Sequence, residues 1–297
     1  MDKSRFDKII KKNLVAESGP SYFGYQTSHG TKKYDLYYKK EVFDDFVNEM
    51  KESYGDAYCK YYEGKGSELK PHKSRYGVLP PKMACVASSS RFCYLAFRDG
   101  TKGIGLDGKV EFEYDCRIKG IAGTAPQLDA YISDRNVFIE VKCHEIFDHH
   151  SIRMKNVYWD LIYGNNNQFG FENIEHTKDD YFDIPLSMFG IEKEHSMFDI
   201  KQLLCHLLGI ACHSDESKKL VFLFYWPITD NVNVNEEIEF VFGELKKEIN
   251  SIFNSNPIKM FCTANNIEVV AVVEKSKMME ALNYNNIEEL YGRLILG

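Results

Sequence analysis

Alternating hydrophobic and polar positions predict three successive strands in the middle of the chain. The segment 110–116 alternates strictly, with acidic residues between the hydrophobic positions Val110, Phe112, Tyr114 and Cys116. Because successive side chains of a strand point to opposite faces, this strand is expected to have one hydrophobic and one acidic face. Two more strands are expected at about 127–133 and 137–143, and the polar turn SDRN between them predicts an antiparallel hairpin.

Hydrophobic residues at helical spacing predict three helices, of which the first is expected at 35–53. The second is expected to begin at Ser196, with Asp199 three residues further on, close to a capping box, and to run to about residue 212. The third is expected to begin at Asn235, which precedes two glutamates in the first turn, and to end at about residue 254.

Two hydrophobic segments predict further strands. Residues 219–226, KLVFLFYW, are nearly all apolar, which is typical of an interior strand that is covered on both faces. Residues 267–273 predict one more strand, and short helices are expected to finish the chain. The residues between the first helix and the first strand are rich in Gly, Pro and Ser, and they are expected to be irregular.

Together these elements predict an α/β protein with a central mixed β-sheet flanked by helices. Its length of 297 residues and its hydrophobic content of 44% are enough for one large packed domain over residues 1–297. The core is expected at about 35–226, with a long aromatic and polar insertion at 144–195 and a C-terminal αβα extension at 235–297.

Composition predicts the cellular compartment of the protein. No segment approaches the roughly 18 consecutive apolar residues that a membrane helix needs, and the N-terminal segment is charged where a signal peptide is apolar. The eight cysteines include no CxxC pair, so they are expected to be reduced thiols in the core. A cytoplasmic protein with no membrane partner is therefore expected.

One basic segment stands out against the formal net charge of −7. Residues 60–77 hold more lysine and arginine than glutamate, among tyrosines and glycines. Enzymes that act on nucleic acid need only a local positive track toward the phosphates, so this segment is a candidate substrate-binding element, and a solvated loop is the alternative. Its candidate residues are Lys65, Lys70, Lys73 and Arg75.

The predicted hairpin carries charges in its strands. Glu140 and Lys142 point to the same face of the second strand, and antiparallel pairing brings Asp129 of the first strand beside Glu140. Two partly buried carboxylates repel each other unless a cation or a proton compensates. Mg²⁺ suits such oxygen ligands, and Lys142 could position a water molecule or stabilise developing negative charge.

These residues resemble the motif of the PD-(D/E)XK nuclease superfamily, which has the restriction-endonuclease-like fold. The resemblance covers Asp129, ten intervening residues and then Glu140-Val141-Lys142, with Leu128 where the nominal motif has proline. It implies an αβββαβ core, in the element order predicted above. It also implies metal binding by Asp129, Glu140 and the Val141 carbonyl, with Glu113 as a further candidate ligand and Lys142 as the catalytic lysine.

The resemblance extends to accessory positions. Gln202, in the sequence FDIKQLLCHLL, matches a glutamine that many members carry on the helix after the third strand, and Glu113 and Glu145 resemble accessory acidic positions. The resemblance thus implies a restriction-type endonuclease that uses Mg²⁺, with Mn²⁺ able to substitute. Double-stranded DNA is the implied substrate, and a homodimer would match a twofold duplex site.

Two other functions stay open at this point. The acidic overall charge also favours a non-catalytic nucleic-acid-binding or assembly module that kept the same fold. An RNA-directed or repair nuclease could use the same residues. The fold by itself does not decide between these functions.

Overall fold

The computed structural model describes residues 4–6, 8–9, 12, 23–25, 37–64, 68–74, 77–85, 88–98, 109–122, 125–143, 147–172 and 178–276. Its α-helices and strands from residue 40 onward are, in chain order, α1 (Lys40–Ser53), α2 (Gly55–Glu63), β1 (His72–Ser74), β2 (Gly77–Leu79), α3 (Ser89–Phe97), β3 (Val110–Asp115), β4 (Gln127–Ile132), β5 (Val137–Lys142), β6 (Ile152–Lys155), α4 (Trp159–Ile162), β7 (Tyr181–Ile184), α5 (Ile200–Ala211), β8 (Lys218–Pro227), α6 (Val232–Asn254), α7 (Asn256–Ala264) and β9 (Ile267–Ser276).

A mixed five-stranded sheet forms the centre of the molecule, in the order β3-β4-β5-β8-β9. The first three strands are antiparallel to one another, whereas β5, β8 and β9 run parallel. Strand β8 lies between two neighbours, and every residue from Leu220 to Trp226 is buried. The predicted α/β class, the mixed sheet with flanking helices and the interior position of β8 are therefore confirmed.

Helix α3 corrects the expectation that the residues before β3 are irregular. The hydroxyl of Ser88 caps the helix by accepting a hydrogen bond from the backbone N–H of Arg91. All residues from Ser90 to Phe97 are buried, and the helix packs against β4 and β5. A helix buried on all sides lacks the polar face that helical periodicity detects, which is why the pattern did not reveal it.

Helices α1 and α6 begin at residues other than the predicted ones. Helix α1 begins at Lys40 and not at residue 35, because Tyr37 and Tyr38 form β-bridges instead. Helix α6 begins at Val232, where the side chain of Asn231 accepts from the N–H of Val234. The Asn231 side chain satisfies a backbone donor that the first turn of α6 leaves without a partner.

The predicted caps of α5 and α6 have other functions in the structure. Asp199, and not Ser196, caps α5, because its carboxylate accepts from the N–H of Gln202 at 2.9 Å. The Ser196 hydroxyl instead lies within hydrogen-bond distance of two acceptors, the Phe198 carbonyl and Glu248 of α6. The side chain of Asn235 binds Thr229 within the loop before α6. The glutamates after Asn235 therefore lie one turn inside the helix.

The predicted insertion contains folded structure of its own. Strands β6 and β7 form an antiparallel pair whose apolar residues are buried while Arg153 and Lys155 are exposed. The ring of Phe169 stacks on Phe261 of α7, with centroids 4.3 Å apart. Through this contact the insertion packs against the C-terminal part of the chain.

The C-terminal extension completes the central sheet. Helices α6 and α7 lead into β9, which pairs in parallel with β8 along its whole length. The short helices expected at the end of the chain fall in residues 277–297, outside the described residues. Among the described helices, none is long and apolar enough to cross a membrane.

Candidate functional site

Three carboxylates lie in one row across neighbouring strands. Glu113 and Asp129 lie between the paired residues Phe112–Ala130 and Tyr114–Leu128 of β3 and β4. Asp129 and Glu140 each lie one residue beyond Ala130 and Ile139, the last pair of the β4–β5 ladder. The exposed fractions of the three acidic residues are 9%, 9% and 5%. The hairpin geometry thus brings the two predicted metal ligands together, and Glu113 joins them from the edge strand.

The row lies where β4 and β5 stop pairing. The ladder between them ends at Ala130 and Ile139. One residue further on, Oδ2 of Asp129 accepts a hydrogen bond of 2.7 Å from the N–H of Val141. The carboxylate therefore satisfies a buried backbone donor that the ladder no longer serves, and this bond fixes the orientation of Asp129.

Glu140, Lys142 and Gln202 form a closed hydrogen-bonded triangle. The Lys142 ammonium donates to Oε1 of Glu140 at 2.9 Å and to Oε1 of Gln202 at 2.6 Å. The Gln202 amide donates in turn to Oε1 of Glu140, also at 2.6 Å. Charge-assisted bonds of this kind are strong in a buried setting, and only 13% of the Lys142 side chain is exposed. Through these two contacts Gln202 is a member of the site and is not a surface residue.

His206 is a member of the site that the sequence analysis missed. It lies one helical turn after Gln202 on α5, and its exposed fraction is 2%. Its Nε2 is 3.3 Å from Oε2 of Glu140, although the geometry falls short of a hydrogen bond. The spacing of four residues from Gln202 was the available signal, because residues i and i+4 share a helix face.

Glu68 and Lys82 extend the acidic row beyond Glu113. Lys82 donates to Oε1 of the buried Glu68 at 3.1 Å. Burial, followed by the charges of Glu68 and Glu140, raises the pKa of Glu113 to about 7. The sequence analysis missed Glu68 and Lys82 because they lie in the segment that it expected to be irregular.

The two central carboxylates have opposite electrostatic settings. Burial, and next the charges of Glu140 and Glu113, raise the pKa of Asp129 well above its usual range. Burial also acts to raise the pKa of Glu140, but Lys142 and His206 outweigh it and lower that pKa to about 2. Glu140 is therefore ionised at neutral pH, whereas ionised Asp129 needs a further cation beside it.

The donor set suits a hard divalent cation. In the described ranges, no group of three or more His, Cys, Asp and Glu side chains is arranged to hold a metal ion. Mg²⁺, however, is commonly held by one or two carboxylates, with water and substrate phosphate oxygens as the other ligands. Asp129, Glu140 and the carbonyl of Val141 supply oxygen ligands of that kind.

The other predicted site residues divide into two groups. Glu145, Lys65 and Arg75 lie outside the described residues. Lys73 is exposed on β1, and the Lys70 ammonium lies over the ring of Tyr62, 3.5 Å from its centroid. The basic segment is therefore not a plain loop, since it includes the end of α2 and a strand of the β1–β2 hairpin.

The β1–β2 hairpin is anchored beside the acidic row. Its two flanking residues, Glu68 and Lys82, are joined by their ion pair, and the N–H of Met83 donates to the carbonyl of Glu68. Because Glu68 and Lys82 both influence the pKa of Glu113, the base of the hairpin lies close to the carboxylates.

No protein-family model matches this chain, and no curated protein or solved structure matches it either.

Proposed function

We propose that this protein is a metal-dependent endonuclease that hydrolyses phosphodiester bonds of double-stranded DNA. The observation that carries the proposal is the convergence of Asp129 with the Glu140, Lys142 and Gln202 triangle at the divergence of β4 and β5. A structural salt bridge needs neither a second buried carboxylate nor the glutamine. The resembled nucleases use two carboxylates and a lysine, and many of them add the glutamine.

The order of the elements supports a restriction-endonuclease-like core. Helix α1, strands β3, β4 and β5, helix α5 and strand β8 follow one another as helix, three strands, helix and strand. This is the αβββαβ order of the PD-(D/E)XK superfamily, with α2, α3 and the β1–β2 hairpin inserted before β3. We take the site and the order together as support for a restriction-type enzyme.

Asp129 and Glu140 are the proposed ligands of Mg²⁺, together with the Val141 carbonyl. Asp129 uses Oδ2 for the Val141 N–H, and within the described part of the chain its Oδ1 accepts no hydrogen bond. A bound Mg²⁺ supplies Lewis acidity toward the phosphodiester and lowers the pKa of its water. Mn²⁺ is expected to substitute, because it accepts the same oxygen ligands.

Lys142 and Gln202 have separate proposed roles. The Lys142 ammonium, held by Glu140 and Gln202, is positioned to orient the attacking water and to stabilise negative charge that develops on the phosphate. Gln202 restrains both other members of the triangle through its two amide atoms. Attack on phosphorus then releases the 3′ oxygen as the leaving group.

The β1–β2 hairpin is the proposed DNA contact. Its base lies beside the carboxylates, and Lys73 projects from it into solvent. A local positive element of this kind can bind phosphates despite the acidic overall charge. A homodimer is proposed because two copies would present two sites to a twofold duplex.

The test is cleavage of plasmid, linear duplex, single-stranded DNA and RNA with Mg²⁺, Mn²⁺ or EDTA. We expect metal-dependent cutting of duplex DNA, and a loss of about a hundredfold or more in Lys142→Ala and Asp129→Asn. Lys247→Ala is the matched control, because Lys247 also pairs with a nearby glutamate but on the surface of α6. Circular dichroism and thermal unfolding would establish that each variant is folded.

The alternatives give different results in the same experiment. Preferential cutting of RNA would indicate an RNA-directed nuclease. Tight DNA binding that needs no metal, with no cleavage of any substrate, would indicate a binding or assembly module. Full activity of both Lys142→Ala and Asp129→Asn would exclude the β4–β5 hairpin as the active site.

A further inference from the structure

His206 contacts the carboxylate of Glu140 from the side opposite to the triangle. Gln202 and Lys142 both bind Oε1 of Glu140, whereas Nε2 of His206 lies 3.3 Å from Oε2. Gln202 and His206 are one turn apart on α5, so a single helix face reaches both oxygens of one carboxylate. One helix therefore brings a polar group beside each oxygen of this carboxylate.

Packing alone does not account for a histidine at this position. The neighbouring buried residues of α5 are aliphatic, among them Leu203 and Leu207, each with an exposed fraction of 0%. Both ring nitrogens of His206 are buried, and within the described residues neither makes a well-formed hydrogen bond. Such a polar group destabilises the fold relative to an apolar side chain of similar size. His206 lowers the stability of the fold and lies beside a proposed metal ligand, which indicates a role in the site.

We propose that His206 is a positioning residue for metal binding. It holds Glu140 in the orientation in which this carboxylate meets a divalent cation together with Asp129. The inference rests on the proposed function and adds a residue that the motif resemblance does not include. Groups that orient metal ligands in this way commonly contribute a factor of about 10 to 100 to metal affinity.

The test compares three variants of α5. His206→Phe keeps the ring and the volume but removes the nitrogen that faces Glu140. His206→Gln places an amide N–H where it can reach the same oxygen. Leu207→Ala is the control, because it perturbs an adjacent buried position on the same helix whose side chain is apolar and cannot pair with a carboxylate.

The first readout is Mn²⁺ binding to the full chain without DNA, measured by titration calorimetry. We expect His206→Phe to weaken Mn²⁺ binding by about 10-fold to 100-fold, and His206→Gln to recover most of it. Leu207→Ala is expected to lower the midpoint of thermal unfolding while Mn²⁺ affinity stays unchanged. The second readout is the Mg²⁺ concentration for half-maximal cleavage, which should rise in His206→Phe while the rate at saturating Mg²⁺ largely recovers.

The outcomes separate this inference from the proposed function. If His206→Phe binds Mn²⁺ as tightly as the unchanged protein does, or if Leu207→Ala weakens binding equally, His206 is not a positioning residue, and the nuclease proposal still stands. If the unchanged protein binds no Mn²⁺ and cuts no substrate, the proposed function and this inference are both overturned.

Discussion

At the scale of single residues, Glu113 has two features that lower the stability of the folded protein. Its backbone has a φ of 48°, a left-handed conformation that costs an ordinary residue about 1–2 kcal/mol. Its carboxylate is also buried next to other acidic groups. A residue selected for stability alone would have neither feature. Strain and a buried charge at one position are instead typical of functional sites.

Glu113→Gln is expected to stabilise the protein at pH 8 and to have little effect at pH 4. The pKa of Glu113 is about 7 in the folded protein against an ordinary 4.5, so the folded state holds the proton more tightly. The contribution of Glu113 to stability is therefore complete below pH 4.5 and is lost as the pH rises through 7. Removing the ionisable group should raise the free energy of unfolding at pH 8 by about 3 kcal/mol.

Urea denaturation at the two pH values measures this effect. Glu111→Gln is the matched control, because Glu111 lies on the same strand but is exposed. Added Mg²⁺ should reduce the advantage of Glu113→Gln at pH 8, since a bound cation stabilises ionised carboxylates. An equal stability change at both pH values would contradict the assignment of a raised pKa to Glu113.

At the scale of elements, the placement of α5 decides the geometry of the site. The Asp199 cap fixes its first turn immediately before Gln202. Near its other end, Gly209 packs so closely against the end of β3 that an added Cβ would lie 2.5 Å from the carbonyl oxygen of Cys116. Only a glycine allows this approach. The helix is thereby held at the depth at which Gln202 and His206 reach Glu140.

Gly209→Ala is expected to destabilise the protein, although alanine is the better helix former. Alanine in a helix is normally favoured over glycine by about 1 kcal/mol, but here the new methyl group collides with rigid backbone. We expect the free energy of unfolding to fall by about 1–3 kcal/mol and metal-dependent cleavage to fall with it.

Gly243→Ala in α6 is the control for this substitution. Its added Cβ meets nothing within 4 Å, so ordinary helix propensity should apply. We expect a gain of about 0.5–1 kcal/mol in urea denaturation. Gains of similar size at both glycines would show that α5 does not depend on the close contact with Cys116.

At the scale of the whole molecule, the charge distribution constrains the proposed binding of DNA. The chain has 44 acidic residues against 37 lysines and arginines, so long-range forces oppose a polyanion. The proposed DNA binding would therefore depend on a local basic element, and we propose the β1–β2 hairpin for this role.

Lys73→Ala is therefore expected to weaken binding to duplex DNA uniformly across sequences. One lost phosphate contact should reduce the slope of log affinity against log salt by about one. Fluorescence anisotropy at several salt concentrations, with Ca²⁺ in place of Mg²⁺ to prevent cleavage, measures both quantities. Lys247→Ala removes the same charge from α6 and should leave both unchanged; equal effects of the two variants would remove the hairpin from the proposed interface.

The sequence by itself determined the elements whose side chains alternate between two environments. The period of two in β3 to β5 assigned Asp129, Glu140 and Lys142 to one face, and hairpin pairing then brought the first two together. The apolar run of β8 predicted its interior position in the same way. These features depend on local spacing, which one sequence contains in full.

Only the tertiary structure decided the features that depend on contacts between distant segments. Helix α3 is buried on every side and so has no periodic pattern. Asp199 caps α5, whereas Ser196 binds Glu248 of a distant helix. Glu68 and His206 lie near the carboxylates, although both are distant in sequence from the β4–β5 hairpin. Sequence spacing specifies the face on which a side chain lies, but the packing of the whole chain determines which other face it meets.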